Sequence, residues 1–185
     1  MPTSRQGRHQ CGLTLIELLI CLTIVAVLTT VAIPSFGEMH KNTLRRTSVN
    51  NVWHALFLAR SEAIKRNSVV VLCKSRDATR CDNSPGNWSA GWIVFENLDH
   101  DEPAQRDAGE PVLRVYNPVG GISVTSNRQT FSFRPFAQGA VNGTIVFCDS
   151  RGSEAARAII ISHTGRPRVS RRDAGNRPLT CPTVL

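Results

Sequence analysis

Arginine is the side chain with the most chemistry to offer in this chain, and it crowds toward one end. Between Gly165 and Leu185 stand Arg166, Arg168, Arg171, Arg172 and Arg177 against one acid, Asp173, a net charge of +4. A guanidinium is planar, permanently charged, and presents paired donors that match phosphate oxygens. Alternation at 166 and 168 puts both groups on one face if the segment is extended, with Gly165 able to turn the chain and Pro167 to stiffen it. No aromatic residue interleaves these arginines, so the pattern fits backbone contact with duplex DNA rather than stacking on single-strand bases. The bland alternative is a solvated or lipid-facing terminus, because charge runs on small domains are usually only that.

The other reactive residue types point away from catalysis. Ser162 and His163 are adjacent, which by itself makes no nucleophile and base pair, and the chain has no GxSxG, HExxH or phosphate loop. No enzyme activity and no cofactor are expected. The stretch Glu96 to Glu110 holds Glu96, Asp99, Asp101, Glu102, Asp107 and Glu110 against Arg106, without EF-hand spacing, and reads as a solvated acidic loop. Of the six cysteines, Cys11 and Cys21 lie in or before an apolar run, leaving Cys73, Cys81, Cys148 and Cys181 in the polar part. An even four at non-zinc spacing, with no CxxC and no suitably placed His, argues for two disulfides rather than a metal. Three connectivities are open. Disulfides also place that part of the chain outside the cytosol.

The elements that must position these groups follow from hydrophobic patterning. At 185 residues, 41% hydrophobic and 19% charged, the chain has room for one ordinary globular unit and is not a disordered polymer. Leu13 to Phe36 is apolar with Glu17 as its only charge, long enough to span a bilayer as a helix and too long for a secretory signal. A carboxylate there costs about 2.5 to 3.5 kcal/mol unless it is paired or stays near the interface. From Leu44 the apolar positions Val49, Val52, Trp53, Leu56, Phe57, Ala63 and Ile64 recur at helical steps, so the helix is expected to continue to roughly Arg66, about 80 Å in all. Short runs rich in Val, Ile, Phe and Trp follow at Val69 to Cys73, Trp92 to Glu96, Val112 to Tyr116, Ile122 to Thr125, Thr130 to Phe133, Thr144 to Cys148 and Ala158 to Ser162. The fold class is therefore α+β, a long N-terminal helix packed on an antiparallel sheet or sandwich.

Gly12-Leu13-Thr14-Leu15-Ile16-Glu17-Leu18, behind a short basic leader with Arg5 and Arg8, resembles the processing site of type IV pilins and type II secretion pseudopilins. The resemblance implies the type IV pilin fold, cleavage by a prepilin peptidase between Gly12 and Leu13, and N-methylation of Leu13. It also implies that Glu17, the fifth mature residue, pairs with the α-amine of a neighbouring pilin in the filament. The family more often carries Phe where Leu13 stands. The domain order it implies is a leader over 1–12, a transmembrane helix over 13–36, an amphipathic helix over 37–66 and a β-rich domain over 67–185. The subunit would sit in the inner membrane with a periplasmic domain and then enter an extracellular pilus.

The globular part is similar to one branch of that family, the FimT and GspH-type minor pilins. The shared features run in order through Leu72-Cys73-Lys74-Ser75 with Cys81, Gly91-Trp92-Ile93-Val94-Phe95, Phe131-Ser132-Phe133, Ala156-Arg157 and Gly165-Arg166-Pro167-Arg168. The branch usually follows its Gly-Trp-Ile-Val-Phe strand with an Asp- and Gly-rich turn, whereas this chain runs into Asn97-Leu98-Asp99-His100-Asp101. Gly-Arg-x-Arg in this place resembles the DNA-contacting motif of FimT-type pilins of natural transformation, which carries over to Arg166 and Arg168; proximity extends it to Arg171 and Arg172. Sequence proximity and the resemblance together pair Cys73 with Cys81 and Cys148 with Cys181. The runner-up is a GspH-like pseudopilin or assembly-priming subunit that never touches DNA.

Overall fold

The computed structural model describes residues 14–85, 87–136 and 142–182; Gly12 and Leu13, the expected processing site, lie outside them. The chain divides into two compact units, Met1–His40 and Lys41–Leu185, and a single helix, α1, runs over Leu15–Arg66.

In the first unit Thr14 caps the helix. Its hydroxyl accepts the Glu17 amide at 3.3 Å while its carbonyl accepts the Leu18 amide at 3.2 Å. Thr-x-x-Glu is thus a helix-start signal. The most apolar 18-residue window has a mean hydropathy of 2.6 and buries nothing within the chain, so it is long and apolar enough to cross a membrane. Its hydroxyls need no outside partner: Thr23, Thr29 and Thr30 donate to the carbonyls of Ile20, Ala26 and Val27 at 2.8, 2.9 and 2.7 Å.

Among the described residues the second unit joins the rest of α1 to eight strands in two antiparallel sheets. β1 (Val69–Lys74), β2 (Trp92–Asn97), β3 (Val112–Tyr116) and β5 (Thr130–Phe133) pair in the order β3-β2-β1-β5. β4 (Ser123–Ser126), β6 (Gly143–Cys148), β7 (Arg157–Ile161) and β8 (Pro167–Ser170) pair in the order β4-β6-β7-β8. The seven expected strands are all present within a residue or so of their bounds. β8 is the addition. Its sequence, Pro-Arg-Val-Ser, holds one strong strand former and opens on a proline, which a sheet tolerates at the first residue of an edge strand.

Parity along the strands explains the layers. Val70, Leu72, Val94, Phe131, Ile145, Phe147, Ile159 and Ile161 share one core with Val52, Ala55, Leu56, Ala59 and Ala63 of α1. The helix stripe is therefore narrower than its sequence reading: Ala55 and Ala59 are in the core, whereas Phe57 and Ile64 are about half exposed. Gly143 is required where β6 meets β5, since a Cβ there would lie 2.8 Å from the Phe131 ring and 2.9 Å from Arg128.

The opposite faces of both sheets are apolar too, and each has its own cover. Val71, Cys73, Ile93 and Phe95 form a second core closed by Ala104. The acidic stretch is thus a folded lid and not a solvated loop. Its Glu110 is 4% exposed and accepts the amides of Leu98 at 2.6 Å and Asp107 at 2.9 Å, while Glu96 receives Arg66 at 3.1 Å. Cys148, Ala156, Ala158 and Ile160 form a third core covered by Leu179 of the tail. One disulfide links Cys73 to Cys81 and the other links Cys148 to Cys181, each within one of these outer layers.

All three cores and both disulfides lie within Lys41–Leu185, so that unit carries everything it needs to fold alone. Closing a loop of 33 residues restricts the unfolded chain more than closing one of 8. Replacing Cys148 and Cys181 together by Ala should lower the stability of the Lys41–Leu185 fragment in urea by about 3.7 kcal/mol, and replacing Cys73 and Cys81 by about 2.5 kcal/mol, on the loop-closure scale.

Candidate functional site

The basic tail is a folded structure built in three steps. First, β7 turns into β8 through Ser162 to Arg166. The Gly165 amide donates to the Ser162 carbonyl at 2.8 Å, the Ser162 amide to the Arg166 carbonyl at 3.1 Å, and the Ser162 and Thr164 hydroxyls meet at 2.8 Å. Gly165 sits at φ 72, where a side chain would be strained. Arg60 of α1 pins this turn by donating to the Thr164 carbonyl at 3.1 Å.

Second, β8 pairs with β7, setting Arg168 opposite Ile160 and Val169 opposite Ile159. Arg166 and Arg168 therefore share the pleat face of the third core, two residues or about 6.6 Å apart along the strand direction. Both are exposed, and among the described residues neither guanidinium makes a hydrogen bond or ion pair.

Third, the chain turns back at Asp173 to Arg177. One Asp173 oxygen accepts the amides of Gly175 and Arg177 at 2.9 and 2.8 Å, and the other accepts Arg177 Nε at 2.8 Å. The backbone amide of Arg177 is the first reason that the Asp173 carboxyl is held below its ordinary range. Arg172 donates to the Asn176 carbonyl at 3.0 Å and bridges to Pro178, which leads to buried Leu179 and the Cys181 disulfide. A groove of about 300 Å³ lies between Arg171, Arg172, Ser153, Glu154, Pro178 and Leu179.

The five tail arginines thus sort by position. Arg166 and Arg168 stand side by side and unpaired; Arg172 is tied to the second turn; Arg177 is spent on Asp173 at 2.8 Å. Arg171 follows β8 on the other parity, and its charge acts on Arg45 and Arg157. Sequence proximity did not separate these roles, because the parity of an unrecognised strand carried the information.

Arg45, Arg151 and Arg157 were not legible as a group, being spread over more than a hundred residues. Arg45 and Arg151 both donate to Asp149, at 3.4 and 2.6 Å, and both to Asn42, at 2.8 and 3.1 Å. Arg45 also donates to the Ala155 carbonyl at 2.5 Å, an acceptor it shares with Arg157 at 3.2 Å. The Arg45 and Asp149 side chains are 8% and 2% exposed, so this pair ties the helix to the end of β6 in a nearly dry site. The hydrogen bond from Arg151 is the main reason that Asp149 is held below the usual carboxylate range, against the opposing effect of burial.

Glu17 is exposed on the first unit, as are the apolar residues around it. His163 lies exposed in the β7 to β8 turn, where the hydroxyls of Ser162 and Thr164 bond to one another. Asp99, Asp101 and Asp107 bring carboxylate oxygens together, but Asp101 is occupied by the Gln105 amide at 2.9 Å and Asn97 Nδ2 at 3.0 Å, which accounts for it as a loop-forming residue.

Residues 48–165 match the family model for the type II transport protein GspH, and residues 7–33 match the prokaryotic N-terminal methylation motif. Two crystal structures of the Pseudomonas aeruginosa (strain PAO1) type IV minor pilin FimU are similar in fold. One aligns with a TM-score of 0.54 at 18% identity over 77% of this chain and 97% of that one; the other with 0.51 at 16% over 76% and 98%. No curated protein sequence matches the chain.

Removing one partner of a buried ion pair leaves an uncompensated charge, so Asp149→Asn should destabilise the Lys41–Leu185 fragment by about 3 to 5 kcal/mol at neutral pH. A carboxyl whose folded pKa is depressed contributes stability that is complete above its unfolded value of about 4 and is lost as pH falls toward the folded value. Urea titrations from about pH 5 down to about pH 2 should therefore show a smaller further loss in Asp149→Asn than in the parent.

Proposed function

We propose that this chain, which belongs to the GspH family and so to the minor pilins and pseudopilins, binds double-stranded DNA along the β8 edge for uptake by a type IV pilus. The observation that carries this reading is the unpaired, side-by-side display of Arg166 and Arg168 on a hydrogen-bonded strand anchored by Arg60 and closed behind by the Cys148–Cys181 disulfide. Rigid presentation matters because a guanidinium that is already ordered loses little freedom on meeting a phosphate. Arg171 and Arg172 flank the pair and add charge along the same edge.

The N-terminal apolar helix and the methylation motif go with an inner-membrane anchor and a periplasmic globular unit, processed by prepilin peptidase and assembled with other pilins. Within that scheme Gly12 and Leu13 are the cleavage and N-methylation positions, and Glu17 meets the α-amine of the next subunit, offsetting a carboxylate that is costly in an apolar environment. The finished subunit then stands in an extracellular pilus. Contacts made by arginines to phosphates carry no sequence information, so binding is expected to be indifferent to DNA sequence.

A structural role without DNA is favoured by one observation, the match to a type II transport family over most of the globular unit. A gel shift separates the two readings. If Arg166, Arg168, Arg171 and Arg172 each neutralise one phosphate, log affinity of the Lys41–Leu185 fragment for duplex DNA should fall with log salt at a slope of roughly −3.6. Arg166→Gln with Arg168→Gln should reduce that slope by about 2 and weaken binding to all sequences alike. Equal affinity and slope in the double variant would rule the DNA reading out.

A further inference from the structure

Arg60 can do more at the β7 to β8 turn than fasten it. It stands on α1 between Ala59 and Ala63, both fully buried, and side chains that small let the helix lie close enough to the sheet for Arg60 to reach the sheet's end. Its one hydrogen bond among the described residues runs from Nη1 to the Thr164 carbonyl at 3.1 Å, across 104 residues of chain. A neutral carbonyl occupies a donor and leaves the charge untouched. Glu62, the nearest acid along the helix, is taken by Arg66 at 2.6 Å and by Lys65 at 3.6 Å, so no carboxylate pairs with Arg60 among the described residues. Its exposed neighbours on the helix, Phe57, Ser61 and Ile64, carry no charge.

The guanidinium is thus fixed on one side and open on another. With Nη1 committed to the turn, the Nε and Nη2 edge remains, an edge that holds an oxyanion by two parallel hydrogen bonds. Arg151 uses that same edge on Asp149, with Nε at 3.0 Å and Nη2 at 2.6 Å. The bond to Thr164 also sets where the edge stands. Thr164 precedes Arg166 by two residues, so the backbone that anchors Arg60 lies within about 7 Å of the backbone that carries Arg166. The turn closes the β7 and β8 hairpin, and α1 reaches it from one layer while Arg166 and Arg168 stand on the other. A polyanion laid along Arg168 and Arg166 therefore meets Arg60 next as it passes the turn. We infer that Arg60 binds a phosphate of the duplex through its free Nε and Nη2 edge, extending the DNA surface from β8 onto α1. The inference rests on the DNA reading and adds a contact that the Gly-Arg-x-Arg motif does not contain.

The test is a salt titration of duplex binding by the Lys41–Leu185 fragment as the parent, as Arg60→Gln, as Arg166→Gln with Arg168→Gln, and with all three changes. Each phosphate neutralised adds about 0.9 to the slope, so Arg60 as a fifth contact takes it from about −3.6 to about −4.5. Arg60→Gln should return it to about −3.6 and weaken binding about tenfold. The same loss of about 0.9 should appear when Arg166 and Arg168 are already Gln, because the contact is Arg60's own. A residue that only positioned Arg166 would have nothing left to position there, so an unchanged slope on adding Arg60→Gln to that background would overturn the inference. The lost bond to Thr164 should move the melting temperature by no more than about 4 °C. A second measurement needs no variant: saturating duplex should slow the modification of Arg60 by phenylglyoxal severalfold, read by peptide mass spectrometry, and an Arg60 that reacts as fast with DNA as without it would equally overturn the inference. Indifference to Arg166→Gln with Arg168→Gln would sink the DNA reading and this inference together, whereas a response there with none to Arg60→Gln would sink this inference alone.

Discussion

A sheet that is apolar on both faces has to be covered twice, and this requirement organises the globular unit. β7 carries Ala158 and Ile160 on one side and Ile159 and Ile161 on the other, all buried. The helix covers one side. The other would expose Cys148, Ala156, Ala158 and Ile160 to water unless something crossed it, and the segment that does so is the carboxyl-terminal tail, through Leu179 and the bond from Cys181 to Cys148. Burying side chains the size of Ile160 and Leu179 is worth about 1.5 to 3 kcal/mol each. The tail is therefore held for reasons unrelated to its charge, and its arginines are ordered because they travel with a lid. The acidic stretch does the same on the other sheet with Ala104, and it supplies Glu110 to cap its own amides.

Much of this was legible from residue types. Alternation and near-continuous apolar runs located seven strands, because period-two patterning and turn residues are local signals. Helical spacing located the spine, although Phe57 and Ile64 were read into a stripe that Ala55 and Ala59 occupy instead: a small residue facing a sheet at close range leaves little mark on a hydropathy pattern. β8 was missed because its pairing is provided by β7 and not by its own composition. The acidic stretch was misread for a related reason. Six carboxylates in fifteen residues suggest solvation, yet Glu96 and Glu110 are buried on specific donors, and only tertiary contact reveals that. The arginine group at Arg45, Arg151 and Arg157 lay beyond reach altogether, since acceptors shared across a hundred residues leave no spacing to read.

An exposed edge strand has a liability of its own, and it bears on how the arginines are weighed. β8 ends a sheet, and unpaired edge groups invite pairing with another chain unless charge or proline intervenes. Pro167 and Arg168 meet that need, so their presence has an explanation that involves no ligand. What edge protection does not require is the rest of the arrangement: a second unpaired guanidinium at Arg166, a turn tied to the helix through Arg60, and a disulfide behind the strand. Blocking an edge takes one charge in any rotamer. Aligning two on a single face, on backbone fixed from both ends, is the geometry that recognition of a regularly spaced polyanion calls for.

The same strand fixes which side of its sheet the charge faces. Because side chains alternate, odd and even positions of β8 report to different sides, Arg168 standing opposite Ile160 of the third core and Val169 opposite Ile159 of the first. A one-residue slip in the β7 to β8 register would exchange the faces. The five-residue turn from Ser162 to Arg166 prevents that slip, since its hydrogen bonds close only when Ile161 lies opposite Pro167. The placement of Arg168 on its side of the sheet thus rests on a few backbone bonds around Gly165, whose φ of 72 few other residues would adopt without strain.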